Sequence, residues 1–310
     1  MQELQFTAAE SRLSAANSRI KSKSLLRVMC LALGGAALLI ATSAHTQNLF
    51  VAAGANILEI TPSGLESSFA AFPGSARELA FNSSGDLFVV DGGDNIYEFR
   101  PSGMQSIFAS APAGAVELAF NSSGDLFVGS QGGAIYELTP GGTENIFTTA
   151  VNIPQGLAFN GAGDLFEADD SGNIYQFTPS GVRTTFASGL SGVTGLAFNS
   201  SGNLFVADNA SDSIYEYTPG GMKSTFASGL GNPTGLNFNS AGDLLVSDAG
   251  SVAIYEFTPD GTRSLVATLP QYPYGLAFQP TPEPSQSWLI LLGSGVWFYA
   301  RYTHKNHRLA

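Results

Sequence analysis

The chain has a single cysteine, Cys30, so no disulfide framework can hold it together. It is equally poor in histidine: His45, His304 and His307 all fall near the ends, and residues 46–303 contain none. No Ser-His-Asp or Cys-His set can therefore form in the middle of the chain. Charge is scarce at 12% of 310 residues, and basic charge is scarcest where the chain is longest. Between residues 45 and 280 there are 22 acidic residues against five basic ones (Arg77, Arg100, Arg183, Lys223 and Arg263), a difference of 17 negative charges. Such a field repels phosphate backbones and excludes nucleic acid as a partner, while soluble cations or basic polymers suit it. No phosphate-binding loop, dinucleotide fingerprint or Cys/His metal spacing is present.

What the chain has in quantity is glycine and phenylalanine, 36 and 22 residues. That combination describes many short strands joined by tight turns, with enough aromatic surface to exclude disorder. A repeat orders it. Phenylalanine recurs at 81, 120, 159, 198, 238 and 278, and isoleucine in the same phase at 57, 96, 135, 174, 214 and 254. Residues 195–228, GLAFNSSGNLFVADNASDSIYEYTPGGMKSTFAS, are a clean copy with four strand-like pieces: LAFN, LFVAD, IYEYTP and STFAS. NSSGD and TPSG or TPGG read as hairpin turns. Four strands in about 40 residues is the pattern of a propeller blade. The first copy begins at NLFV (48–51) without its leading strand, and the last stops after YGLAF (274–278). The expectation is an all-β, six-bladed β-propeller over residues 45–280, its ring closed by the C-terminal strand, with the phenylalanines filling the gaps between blades.

The ends read as targeting segments. Residues 1–27 carry five basic residues, Val28–Ile40 is an apolar run, and ATSA (41–44) follows, so residues 1–44 have the order of a secretory signal peptide. The tail 281–310 holds the triplet Pro282-Glu283-Pro284, an apolar run from about Trp288 to Ala300, and a basic end with Arg301, Lys305 and Arg308. Both runs are shorter than the roughly 20 residues of a comfortable span, which suggests transient membrane contact through the termini. The tail resembles the PEP-CTERM sorting signal of exosortase-processed bacterial proteins, although its basic cluster is diluted by Tyr302, Thr303, His304 and Asn306. That resemblance implies an exosortase-type processing enzyme as partner, processing at the triplet, and export to the envelope or extracellular matrix of a Gram-negative-type bacterium that makes extracellular polysaccharide.

The repeats themselves, G-L-A-F-N, G-D-L-F-V and I-Y-E-F-T-P over residues 48–278, resemble NHL-type repeats and the neighbouring gluconolactonase-like and streptogramin-lyase-like propellers. Such motifs specify a fold and leave the activity open. Copies compared with one another show where a ligand would sit. NSSGD and TPSG are nearly uniform, whereas the loops between strands two and three and between blades differ from copy to copy. A ligand is expected on that variable face. It collects Asp91, Asp169, Asp208 and Asp248 at the ends of second strands, and Glu78 and Glu117 where other copies have the glycine of GLAF. Two readings of these carboxylates stand. They converge on a channel and hold a hard cation such as Ca²⁺ through oxygen ligands, or the aspartates cap turns through their own backbone. The gluconolactonase resemblance implies a channel metal near Glu78, Glu117 and Asp208; Asn237, which replaces alanine in GLNF, adds an amide that could serve as a ligand. The streptogramin-lyase resemblance implies a histidine base, which the repeats lack. The function expected is a non-catalytic surface or matrix propeller presenting an acidic face to a polysaccharide, a cation or an envelope protein. The alternative is a metal-dependent lactonase-like hydrolase.

Overall fold

The computed structural model describes residues 47–280, apart from 72, 73, 92, 94 and 113. The segments read from the sequence as an export signal and a sorting tail, the latter with Pro282, Glu283, Pro284 and Arg301, lie outside the described residues. Alternating apolar residues and punctuating turns give 24 short strands. The chain opens with β1 (Leu49–Ala53), β2 (Asn56–Ile60) and β3 (Glu66–Ala71). Blade 1 holds β4 (Glu78–Phe81), β5 (Leu87–Val90), β6 (Asn95–Phe99) and β7 (Gln105–Ser110), and blade 2 holds β8 (Ala115–Phe120), β9 (Leu126–Ser130), β10 (Ala134–Leu138) and β11 (Glu144–Thr148). Blade 3 follows with β12 (Pro154–Phe159), β13 (Leu165–Asp169), β14 (Ile174–Phe177) and β15 (Arg183–Ala187). Blade 4 has β16 (Val193–Phe198), β17 (Leu204–Asp208), β18 (Ser213–Tyr217) and β19 (Lys223–Ser228). Blade 5 has β20 (Pro233–Phe238), β21 (Leu244–Asp248), β22 (Ala253–Phe257) and β23 (Arg263–Thr268), and β24 (Pro273–Phe278) ends the series.

Each blade is a four-stranded antiparallel sheet, and the sixth is composite, in the order β24-β1-β2-β3. Leu49 pairs with Phe278, Phe50 with Ala277 and Val51 with Leu276, so the last strand completes the first blade as the broken repeats imply. The last strand thereby covers the edge that β1 would otherwise leave bare within its blade. Gln279 N–H donates to the Asn48 carbonyl at 3.0 Å, and the Gln47 amide donates to the Gln279 carbonyl at 3.0 Å, which fastens the two ends side by side.

The turns follow from their residues. In NSSGD, Asn82 Oδ1 accepts from Ser84 N–H and Asp86 N–H at 3.0 and 2.9 Å, and Gly85 supplies φ +85°. The same clasp recurs at Asn121, Asn160, Asn199 and Asn239. Between blades, the second-strand phenylalanine sits edge-on to two others. Phe205, for example, lies 4.9 Å from Phe226 of its own blade and 5.0 Å from Phe238 of the next, with near-perpendicular rings. Five seams have this triad; the seam from blade 5 into the composite blade has Leu245, Val266 and Phe278 instead.

Candidate functional site

The inner strands β4, β8, β12, β16, β20 and β24 surround the axis, and their spacing is set by one repeat position. Where the repeat has glycine, the next inner strand comes close. A Cβ on Gly156, Gly195 or Gly235 would meet the carbonyl of Thr194, Thr234 or Tyr274 at 2.9, 2.3 and 2.5 Å. Side chains reinforce the approach: Thr194 Oγ1 donates to the Pro233 carbonyl at 2.9 Å, Thr234 Oγ1 to the Pro273 carbonyl at 3.1 Å, and the Asn237 amide to the Leu276 carbonyl at 3.2 Å. Blades 1 and 2 have Glu78 and Glu117 at that position, and a glutamate needs its neighbour to stand back. The axis is therefore open on one side.

The opening is a cavity of about 560 Å³ on the face of the variable loops, the size of a small-molecule site. Glu78 and Glu117 line it, together with Arg77, the amides Gln131, Gln155, Asn209 and Asn232, and Tyr272 and Tyr274. Both tyrosines are exposed, at 61% and 38%. Below it a narrower chamber of about 270 Å³, lined by Asn237, Phe81, Phe120 and Phe278 among others, continues along the axis; Glu78, Leu118, Leu157, Leu196 and Leu236 belong to both. Glu78 folds over Gly275, and its carboxyl fills the space that a Cβ there would need.

Burial pushes the Glu78 carboxyl up to about 8, against one backbone hydrogen bond that favours the charge. Glu117 is also raised, first by burial, then by the charges of Glu78 and Glu167, with Arg77 opposing. Glu167 escaped the sequence reading. It stands where β5, β9, β17 and β21 have valine (Val89, Val128, Val206 and Val246), is fully buried, and neither carboxyl oxygen has a hydrogen-bond partner. Burial, and then the charge of Asp169, push it up to about 8. It shares a seam with Glu117. Glu117 pairs across β8–β9 with Gly129, on the side of blade 2 that faces blade 3, and Glu167 projects back from blade 3. Gly129 makes the seam possible, since a Cβ there would meet Glu117 Cβ at 3.0 Å and Pro154 Cβ at 3.1 Å. The signal in the sequence was a comparison of the second strands, LFV against LFE.

The structure thus brings Glu78 and Glu117 together, puts Asn237 deeper on the same axis, and does not bring the four aspartates to the cavity. Asp169, Asp208 and Asp248 are buried, and backbone amides occupy their carboxyls. Asp169 Oδ1 accepts from Ser171 and Asn173 N–H, both at 3.0 Å, Asp208 accepts from Ser191 and Ser211 N–H at 3.3 Å, and Asp248 accepts from Gly231 N–H at 2.8 Å. Asp91 accepts from Gly93 N–H at 2.7 Å. These carboxyls shape the loops as turn caps do, three of the four from buried positions. Among the described residues no three His, Cys, Asp or Glu side chains are grouped to hold a metal ion.

Fold and site together define a class: a six-bladed β-propeller of NHL-like blades with an axial cavity on its variable face. Solved structures share that architecture. A chain of a nidogen/laminin complex superposes with a TM-score of 0.68 at 16% identity, covering 76% of this chain and 98% of that one. A candidate gluconolactonase gives 0.57 at 18%, covering 64% and 80%. An inactive histidine-to-alanine variant of virginiamycin B lyase from Staphylococcus aureus, solved with quinupristin, gives 0.60 at 15%, covering 76% and 93%. No protein-family model and no curated protein matches the chain. At these identities the likeness is one of fold.

Proposed function

We propose that this is an exported, non-catalytic propeller of a bacterial cell surface or matrix, which binds polysaccharide in the axial cavity of its variable face. The observation that carries the reading is the cavity's lining. Four neutral amides offer donors and acceptors for hydroxyl groups, and two exposed tyrosines at the mouth offer flat faces to sugar rings. Export rests on the signal-like order of residues 1–44 and on the tail at Pro282-Glu283-Pro284, where an exosortase-type enzyme would act. Lyase chemistry of the virginiamycin type has no support here. A variant of that enzyme lacking one histidine is inactive, and residues 47–280 hold no histidine.

One observation favours a second reading, a metal-dependent lactonase-like hydrolase: Glu78, Glu117 and Asn237 lie along one axial channel. Two measurements separate the readings. An oligosaccharide array is expected to retain the wild-type protein and to lose a Tyr272→Ala/Tyr274→Ala variant. A lactone screen with Ca²⁺, Mg²⁺ or Zn²⁺ is expected to show no turnover. Turnover that disappears in Glu78→Gln would replace the binding reading with the hydrolase. Terminal sequencing of the exported product checks the rest, and an intact Met1 together with an intact Pro-Glu-Pro tail would remove processing from the account.

A further inference from the structure

Glu78 and Glu117 are equivalent residues of adjacent inner strands, and both line the cavity, close enough for the charge of one to act on the other. Neither makes an ion pair among the described residues. The one basic side chain of the lining, Arg77, is solvent-exposed at the rim. Behind them lies a third carboxyl, Glu167, fully buried and with both oxygens unpartnered. It is the register partner of Leu157, and Leu157 lines the cavity, so the pleat turns Glu167 toward the same side of the sheet. Two carboxyls thus line the cavity and a third is buried in the seam behind Glu117, with Arg77 the one basic side chain of the lining to answer them.

Burial keeps the carboxyls protonated well above their usual range in the free protein, so a neutral ligand leaves them uncharged and gains nothing from the acidic surroundings, which oppose an anion. A cation in place of their protons would satisfy them, and the rest of the propeller favours its approach, with 22 acidic residues against five basic ones between residues 45 and 280. A bare metal ion would leave the tyrosines unused and would find no three His, Cys, Asp or Glu side chains grouped among the described residues, whereas a sugar bearing an amino group uses both halves of the site.

We infer that the axial cavity takes a cationic sugar, an amino-bearing glycan whose ammonium group sits between Glu78 and Glu117 and whose ring lies against Tyr274 and Tyr272. The inference rests on the binding reading above and adds the charge of the ligand. It also implies that binding displaces protons from the carboxyl pair, because the free pair holds them well above the usual carboxylate range.

The test is calorimetry on the full-length chain in a non-glycosidic detergent, near pH 6. The probes are a β-1,4-linked glucosamine tetrasaccharide, its fully N-acetylated counterpart, cellotetraose, and CaCl₂ alone. The amino tetrasaccharide is expected to bind about tenfold or more tightly than the N-acetylated one. The Glu78→Gln/Glu117→Gln variant should abolish that preference. A Tyr272→Ala/Tyr274→Ala variant should weaken the amino and N-acetylated sugars alike and keep their ratio, which separates loss of the ring contact from loss of the charge contact. Equal wild-type affinity for the three sugars would overturn the cationic assignment and leave glycan binding standing. Failure of every sugar to bind would overturn both. A preference that survives the double glutamine variant, or heat from CaCl₂ without heat from the amino sugar, would remove the carboxyl pair from the role given to it here.

Discussion

Glu167 sits in a site built for valine, between Phe166 and Ala168, which are themselves buried. Its proton stays on in the folded protein up to about pH 8, whereas the unfolded chain releases it near its ordinary value of 4.5. Between those values the folded state binds more protons than the unfolded one, so stability falls as pH rises. Glu167→Val is therefore expected to raise the melting temperature at pH 8, by roughly 2–3 kcal/mol of stability or more, and by less near pH 4.5, where only the unpartnered neutral carboxyl is relieved. Melting curves at the two values check this, and equal gains at both would contradict it. The glycines of the inner strands make the opposite case. Gly195→Ala would drive a Cβ to 2.3 Å from the Thr234 carbonyl, a backbone atom held by the next blade. That change should cost about 1–3 kcal/mol, whereas Gly161→Ala, with nothing within 4 Å, should cost nothing measurable by urea denaturation.

At the scale of the element, the turn asparagine does the work that the repeat advertises. Asn199 Oδ1 accepts from Ser201 N–H at 3.0 Å and Asn203 N–H at 2.9 Å, while the neighbouring Ser200 is exposed. Asn199→Ala should cost about 1–2 kcal/mol through two unsatisfied backbone donors, and Ser200→Ala close to none. Urea titration reads the difference, and equal effects would show that the clasp is dispensable. Turns of this kind are why the fold was legible from the chain alone. Each copy repeats the same short-range solution, so strands, register and closure follow from spacing and from the broken first and last units. The site was legible only in part, because its residues lie where copies depart from the repeat. Glu78 and Glu117 stand out against glycine within a uniform motif. Tyr272 and Tyr274 belong to the stretch TLPQYPY, which no other copy resembles, so no spacing placed them at the mouth. The aspartates looked like ligands because sequence shows a carboxylate but hides the backbone amides that occupy it. Glu167 was hidden by its neighbours, since a buried strand reads as apolar even when one of its residues is not.

For the whole molecule the question is whether a ring of six similar blades behaves as one unit or as a stack. The seam into the composite blade differs from the rest, with Leu245 and Val266 where the other five have phenylalanine, and it is the seam that closes the ring. What binds it is β24. That strand pairs with β1, places Leu276 and Ala277 in two separate core clusters, and donates Gly275 N–H to the Arg77 carbonyl of blade 1 at 2.8 Å. Ending the chain after Gln271 would take all of this away and leave β1 as a bare edge, with apolar surface uncovered on both sides. A bare edge of that kind pairs with whatever strand it meets. The shortened chain is expected to lose cooperative thermal unfolding and to associate through β1 in analytical ultracentrifugation. A chain ending at Pro280, which keeps β24, should melt as the full-length protein does. A synthetic peptide of residues 272–280 added to the shortened chain should restore both the monomer and the sharp transition, because the strand would add to the same edge in the same register. If the chain lacking β24 melts unchanged as a monomer, the blades hold together without closure and the ring is only a consequence of their number.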